Sequence, residues 1–349
     1  MSSLKGLARP EIVALQSYTC PDREPGFTRL HANEAPWRTA GDESAEGLNR
    51  YPEPQPAELL EALAQLYGLE CERVLATRGT DEGIDLLVRA FCRPGLDAVL
   101  VCPPTFVMYA VAARIQGAEV VSVPLSPDQA YALDPGAVLA RCTGAVKLVF
   151  LCSPNSPTGN LMSETAILEI ADRLAGRALI VVDEAYIEFS SRESLARQLF
   201  RRPHLVLLRT LSKAHALAGV RCGSLLADAE IIALLRKIIA PFPLPQPTID
   251  TVLRALAPSQ LAATRAAIER VRAERIRLIA ALRSFPGIRR VWPSETNFIL
   301  AEFTDARAAL ARARKARVLV RDVGAHVPQA LRITIGSEDE NNRLLEAWS

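Results

Sequence analysis

The stretch Leu205-Val206-Leu207-Leu208-Arg209-Thr210-Leu211-Ser212-Lys213-Ala214-His215-Ala216-Leu217-Ala218-Gly219-Val220-Arg221-Cys222-Gly223 runs from apolar residues into hydroxyls, a lone lysine, small residues and an arginine. The apolar start, Leu205 to Leu208, reads as a buried strand. A lysine carries a strongly hydrated head and seldom closes such a strand unless something there uses it. An amine desolvated beside other cations has a lowered pKa and attacks aldehydes. Arg221, with the hydroxyls of Thr210 and Ser212, suits a phosphate. An aldehyde and a phosphate on one ligand suggest pyridoxal 5′-phosphate, although an ordinary strand-loop-helix with a surface lysine accounts for this stretch taken alone.

Outward from this strand, helical and strand patterns alternate. Helices are expected near 56–67, 81–92, 106–116, 163–175 and 228–239. Short β-branched runs fall near 97–102, 119–124, 146–151, 178–182 and 222–227. Such alternation predicts an α/β fold with a mostly parallel sheet covered on both faces. Ligands of these sheets bind beyond the carboxyl ends of the strands. The run Pro241-Phe242-Pro243-Leu244-Pro245-Gln246-Pro247 reads as an interdomain joint. Beyond it, a long helix (about 259–284), strands near 288–292, 297–302 and 330–335, and helices near 304–316 and 338–347 predict a smaller α+β domain. The expected division is an arm with part of the small domain at 1–50, a large cofactor-binding domain at 51–245, and a small C-terminal domain at 246–349.

Composition narrows the function classes. The 349 residues contain 49% hydrophobic residues, ample for a packed core. Forty-one basic against 39 acidic residues leave a formal charge of +2, which makes no electrostatic case for nucleic acid or a membrane surface. Five lysines are present, so one at a strand end is conspicuous. Seven scattered cysteines without a C-x-x-C pair, and four dispersed histidines, fit buried thiols in a reducing compartment and no metal site. No apolar run reaches the ~18 residues of a membrane span. A soluble, cytoplasmic protein is expected.

Other strand ends supply the rest of a site. Val181-Val182-Asp183-Glu184-Ala185-Tyr186 closes an apolar run with an acid and then a phenol. Pyridoxal phosphate accepts electrons only while its ring nitrogen stays protonated, which a buried carboxylate secures. Asp183 is the candidate, with Tyr186 for the ring's 3-oxygen. Gly79, Thr80 and Asp81 open a periodic helix whose free N–H groups suit a phosphate. Phe106, after Cys102-Pro103-Pro104-Thr105, offers a stacking ring, and Asn155 and Ser156 lie in a proline-fixed turn after strand 146–151. Arg332, inside the apolar strand Leu331 to Ile335, and Arg321, after Val318 to Val320, are candidates for an anionic substrate.

With these residues in view, the chain resembles the fold-type I pyridoxal-phosphate aminotransferases and, among them, the histidinol-phosphate aminotransferases over nearly its whole length. The segments carrying the likeness include A-N-E (32–34), N-R-Y-P-E (49–53), T-R-G-T-D-E-G (77–83), C-P-P-T-F (102–106), D-E-A-Y-I-E-F (183–189), R-T-L-S-K-A-H-A-L-A-G-V-R-C-G (209–223) and L-R-I-T-I-G (331–336). The resemblance implies a homodimer that exchanges an amino group between glutamate and histidinol phosphate. Lys213 would bear the cofactor covalently, assisted by Asp183 and Tyr186. Thr80, Asp81, Thr210, Ser212 and Arg221 would surround the phosphate. Tyr51 would come from the partner subunit, and Asn33, Arg321 and Arg332 would hold the substrate. Where Ser156 stands the family usually has asparagine, with Asn155 one place earlier; His215 replaces a usual aromatic and is read as packing. Threonine-phosphate decarboxylation, aromatic-amino-acid transamination and a non-catalytic cofactor-binding paralogue are the alternatives.

Overall fold

The computed structural model describes residues 4–21, 26–45 and 47–349. The expected strands assemble as one sheet: β1 (Val74–Thr77), β2 (Ala98–Val101), β3 (Glu119–Ser122), β4 (Val146–Cys152), β5 (Leu179–Asp183), β6 (Leu205–Thr210) and β7 (Gly223–Leu226). Their order is β1-β7-β6-β5-β4-β2-β3. Strands β2 to β6 pair in parallel, and β7 runs antiparallel to both β6 and β1. The fold is therefore α/β with a mostly parallel, mixed sheet.

Both faces of this sheet are dry, which is why its strands read as unbroken apolar runs instead of alternating ones. Val181, Phe150 and Leu208 point to one face, among side chains of α3 (Thr80–Phe91), α4 (Met108–Gln116) and α7 (Ala229–Arg236). Val182, Leu151 and Leu207 point to the other, among α2 (Ala57–Tyr67), α5 (Pro135–Arg141), α6 (Glu164–Arg173) and α8 (Gln246–Ala255). Before them, Leu4, Leu7 and Ala8 of the expected arm enter the first face, just ahead of α1 (Pro10–Ala14).

A second sheet, antiparallel throughout, has the order β10-β11-β9-β8. Its strands are β8 (Ile288–Val291), β9 (Phe298–Phe303), β10 (Arg321–Asp322) and β11 (Ala330–Thr334). It shares a core with α9 (Pro258–Arg283), α10 (Ala306–Lys315) and α11 (Glu338–Trp348). Among the described residues, no helix is long and apolar enough to cross a membrane.

The run 241–247 behaves differently from a simple joint. Pro245 caps α8 and Pro247 lies in its first turn, where a missing N–H leaves no bond unmade. Ile249 and Val252 of α8 then join the core of the larger sheet. Strand β1 and helix α5 were also outside the sequence reading; both are short, at four and seven residues.

Gly79 and Gly223 let β1, β7 and the start of α3 close up. Gly79 has φ +84°, and a Cβ on Gly223 would stand 2.8 Å from Gly79 Cα and 2.9 Å from the Arg209 carbonyl oxygen. Both obstacles are backbone, so Gly223→Ala is expected to destabilise the protein by about 1–3 kcal/mol. Urea unfolding measures this, and an unchanged midpoint would refute it.

Candidate active site

Parallel pairing brings the carboxyl ends of β2, β4, β5 and β6 to one edge. Gly223 of β7 stands opposite Thr77 and Thr210, and Cys152 opposite Asp183, so the strand ends are level. At that edge a cavity is lined by Gly79, Thr80, Asp81, Phe106, Cys152, Ser156, Asp183, Ala185, Tyr186, Thr210, Ser212, Lys213, Ala218 and Arg221. Eleven of these were candidates from sequence, and tertiary structure has gathered them from five separate segments.

Lys213 opens onto this cavity, with Nζ 5.9 Å from the Tyr186 ring centroid. Protein packed around the amine lowers its pKa by desolvation, and the positive charges of Arg332 and Arg221 lower it further; Asp81 and Asp183 pull the other way. Arg221 is held at a left-handed φ of 58°. Its Nη1 donates to Ser212 Oγ at 3.3 Å and the Ala218 carbonyl at 3.2 Å, and its Nη2 reaches Asp81 Oδ2 at 3.4 Å. These are long contacts that leave the guanidinium available to a stronger anion. Beside it, the N-terminus of α3 has no side-chain cap, so its N–H groups are free for the same anion.

Asp183 is buried. Its Oδ2 accepts from the Tyr109 hydroxyl at 2.7 Å and its Oδ1 from the Ala185 N–H at 3.0 Å. Burial outweighs these bonds and pushes the carboxyl up to about 6. A folded pKa raised above the unfolded value contributes stability that is present below the unfolded pKa and lost as pH rises through the folded one. In cofactor-free protein, Asp183→Asn is therefore expected to be more stable than the parent at pH 8, by on the order of 3 kcal/mol. The gap closes as pH falls through about 6 toward 4. Denaturant curves across that range decide it; equal stability at pH 8 would count against the buried-charge account.

Tyr186 is mostly enclosed, with its phenol pushed up to about 12, mainly by burial, so it stays a hydrogen-bond donor. Its ring meets Phe298 edge-on at 5.1 Å. Ser156 Oγ accepts from Arg332 Nη1 at 3.0 Å. Arg332, brought from β11 of the smaller sheet, lies with its guanidinium 5.2 Å from the Phe298 ring centroid. The two sheets thus meet at the cavity wall.

Four candidates lie elsewhere. Asn155 is not in the cavity wall: its amide donates to the Pro104 carbonyl at 2.8 Å and Thr158 Oγ1 at 2.6 Å and accepts from Thr105 at 2.9 Å. Those bonds occupy both amide hydrogens and tie the turn to the segment that follows β2. Asn33 and Tyr51 line a separate pocket with Arg50, Pro245 and Pro247. There Tyr51, half exposed, stacks on Phe242 at 4.5 Å. Arg321 is exposed on β10 directly opposite Arg332. Sequence reasoning missed Tyr109, whose spacing three residues past Phe106 was the available signal. It also missed a buried ion cluster behind the lysine strand: Arg209 Nη2 meets Glu188 Oε1 at 2.6 Å and Nη1 meets Glu184 Oε2 at 3.5 Å. His215 belongs to that neighbourhood, mostly buried, with its pKa lowered by desolvation.

The donor set fits pyridoxal 5′-phosphate. A buried acid is available for the ring nitrogen, an aromatic for the ring face, hydroxyls for the 3-oxygen, an amine for the aldehyde, and Arg221 with the α3 N-terminus for the phosphate. Among the described residues, no group of His, Cys, Asp and Glu is placed to hold a metal ion.

Comparison with known proteins agrees. The chain is 51% identical over 321 residues to the histidinol-phosphate aminotransferase of Xylella fastidiosa (strain 9a5c), covering 90% of this chain and 87% of that one. It is 48% identical to the enzyme of that name from Stenotrophomonas maltophilia (strain R551-3), covering 98% and 96%. Its fold matches the crystal structure of histidinol-phosphate aminotransferase from Sinorhizobium meliloti in complex with pyridoxal-5′-phosphate, with a TM-score of 0.77, 24% identity, and coverage of 86% and 82%. A family model described as aminotransferase class I and II matches residues 23–347, and the chain belongs to that family.

Proposed function

We propose that this chain uses pyridoxal 5′-phosphate to move an amino group between glutamate and 2-oxoglutarate on one side, and imidazole-acetol phosphate and L-histidinol phosphate on the other. The observation that carries the reading is one cavity holding Lys213, Asp183, Tyr186 and Phe106 at the strand ends, with Arg332 against its Ser156 wall. Relatives near 50% identity over most of the chain bear the name of that activity.

Bound there, the cofactor supplies an electron sink for negative charge at the substrate's α-carbon. Asp183 holds the proton of the pyridine nitrogen. Lys213 is the residue for covalent attachment, and its amine, with a lowered pKa, carries the proton to and from the α-carbon. Tyr186 and Ser156 donate toward the 3-oxygen. Thr80, Thr210, Ser212 and Arg221 hold the phosphate, with Gly79 allowing the close approach and Asp81 orienting Arg221 through their ion pair. Phe106 stacks on the ring. Arg332, with Arg321 beside it, grips a carboxylate in one half-reaction and the phosphorylated substrate in the other.

In the same reading the protein is a cytoplasmic homodimer. Exposed apolar residues of the N-terminal segment, among them Phe27, Leu30 and Trp37, suit a subunit contact. Tyr51 and Asn33, lining a pocket away from Lys213 of their own chain, would complete the partner's site. Seven free thiols suit a reducing compartment.

The test is spectroscopic. Glutamate should convert bound cofactor to its amine form, and imidazole-acetol phosphate should restore the aldehyde form with release of histidinol phosphate. No conversion by glutamate, or CO₂ release from threonine phosphate in its place, defeats the reading.

A further inference from the structure

We propose that Tyr109 is a positioning residue for the ring-nitrogen proton: its hydroxyl, donating to Asp183 Oδ2 at 2.7 Å, keeps that carboxylate ionised and fixes its orientation in the cavity wall. The inference rests on the cofactor reading above. Tyr109 occupies the first turn of α4 and is fully buried. Its ring stacks on Phe150 at 4.8 Å and 7° and meets Phe106 edge-on at 5.6 Å and 81°. The hydroxyl therefore has one fixed direction, and its buried neighbourhood offers Asp183 as the anionic acceptor.

The surroundings of Asp183 give this bond its importance. Glu184 and Tyr186 follow on its own segment, Cys152 faces it from β4, Asp81 from α3 and Lys213 from beyond β6. Asp81 and Glu184 disfavour its ionised form, as does burial. On the other side stand the two hydrogen bonds and the amine of Lys213. A hydrogen bond to an ionised group is stronger than a neutral one, so losing it moves the acid–base balance toward the neutral acid. A neutral Asp183 would hold the proton that the pyridine nitrogen needs. Tyr109 cannot reverse the bond by ionising, because burial and Asp183 hold its phenol well above its ordinary value. Tyr109 also touches Phe106, so one side chain steadies both the acid and the stacking ring.

The experiment uses cofactor-free full-length protein with ¹³C-labelled aspartate carboxyls, followed by NMR titration of Asp183. Tyr109→Phe keeps the ring and removes the donor. It is expected to raise the Asp183 midpoint by about one to two pH units. The same variant should bind pyridoxal phosphate roughly tenfold more weakly at pH 7, an effect absent when the change is made on an Asp183→Asn background. Placing 3,5-difluorotyrosine at position 109 strengthens the donor at nearly constant shape, and should lower the midpoint. An unmoved midpoint in both proteins, or equal loss of cofactor affinity with and without Asp183, overturns the proposal. These readouts stand apart from turnover: a parent protein that gives no amine form with glutamate would sink the functional reading, while the titration would still judge Tyr109.

Discussion

Lys213→Ala is expected to lower turnover by roughly 10⁴-fold or more, because in the proposed mechanism one side chain supplies both covalent attachment and proton transfer. The effect should fall on the rate and not on folding, since Lys213 is exposed and opens onto the cavity. Borohydride reduction followed by mass spectrometry provides an independent readout: the parent should retain the cofactor's mass on the peptide containing Lys213, and the variant should not. Lys213→Arg should fail as fully as alanine, for a guanidinium keeps the charge but remains protonated and cannot act as an amine. Residual activity within tenfold of the parent would remove the lysine from the mechanism.

The second large effect is structural. Arg209→Met is expected to destabilise the fold by about 3–5 kcal/mol, because it leaves two acids without their shared cation. The guanidinium is buried, sits 4.8 Å from the Tyr67 ring centroid, and bonds both Glu184 and Glu188. Glu184, fully enclosed, already has its carboxyl raised by burial despite Arg209, the Leu195 N–H and Ser194. Without the arginine its folded pKa rises further, so stability is present at low pH and lost as pH climbs through that value. The deficit of the variant should thus be largest at pH 8 and shrink toward pH 5. Adding Glu184→Gln should recover part of it at pH 8. Guanidinium unfolding at both pH values measures the pattern, and a deficit that does not vary with pH would contradict it.

The larger sheet was legible because its strands, dry on both faces, are uninterrupted apolar runs separated by amphipathic helices. Asp183 and Lys213 were legible for the complementary reason: charged residues that close such runs invite a chemical explanation. What stayed hidden was anything decided by where a side chain points. Tyr109 looks like another core aromatic until the fold turns its hydroxyl toward Asp183. Arg209 sits among leucines and gives no hint that its partners lie on the segment after β5. Asn155 looked like a cofactor ligand by type, but its hydrogen bonds to Thr158 and to the distant Pro104 and Thr105 could be counted only in three dimensions. Helix α8 was masked by prolines that serve its first turn as readily as they serve a loop.

The adjacent acids at the end of β5 have an unequal division of labour. Asp183 looks toward Tyr109 and the candidate active-site chamber, whereas Glu184, the next residue, looks through the wall toward Arg209 and Ser194. A strand's side chains alternate, so sliding β5 by a single residue between its neighbours would send both acids to the wrong side. Shifted one way, the chamber receives Glu184, one methylene too long, and the arginine nest receives Ala185; shifted the other way, the nest receives Asp183, one methylene too short, and the chamber receives Val182. Deleting or inserting one residue anywhere in Leu179–Val182 therefore damages chemistry and stability in the same stroke. The central strand acts as a spatial code in which the order Asp-Glu cannot be read backwards.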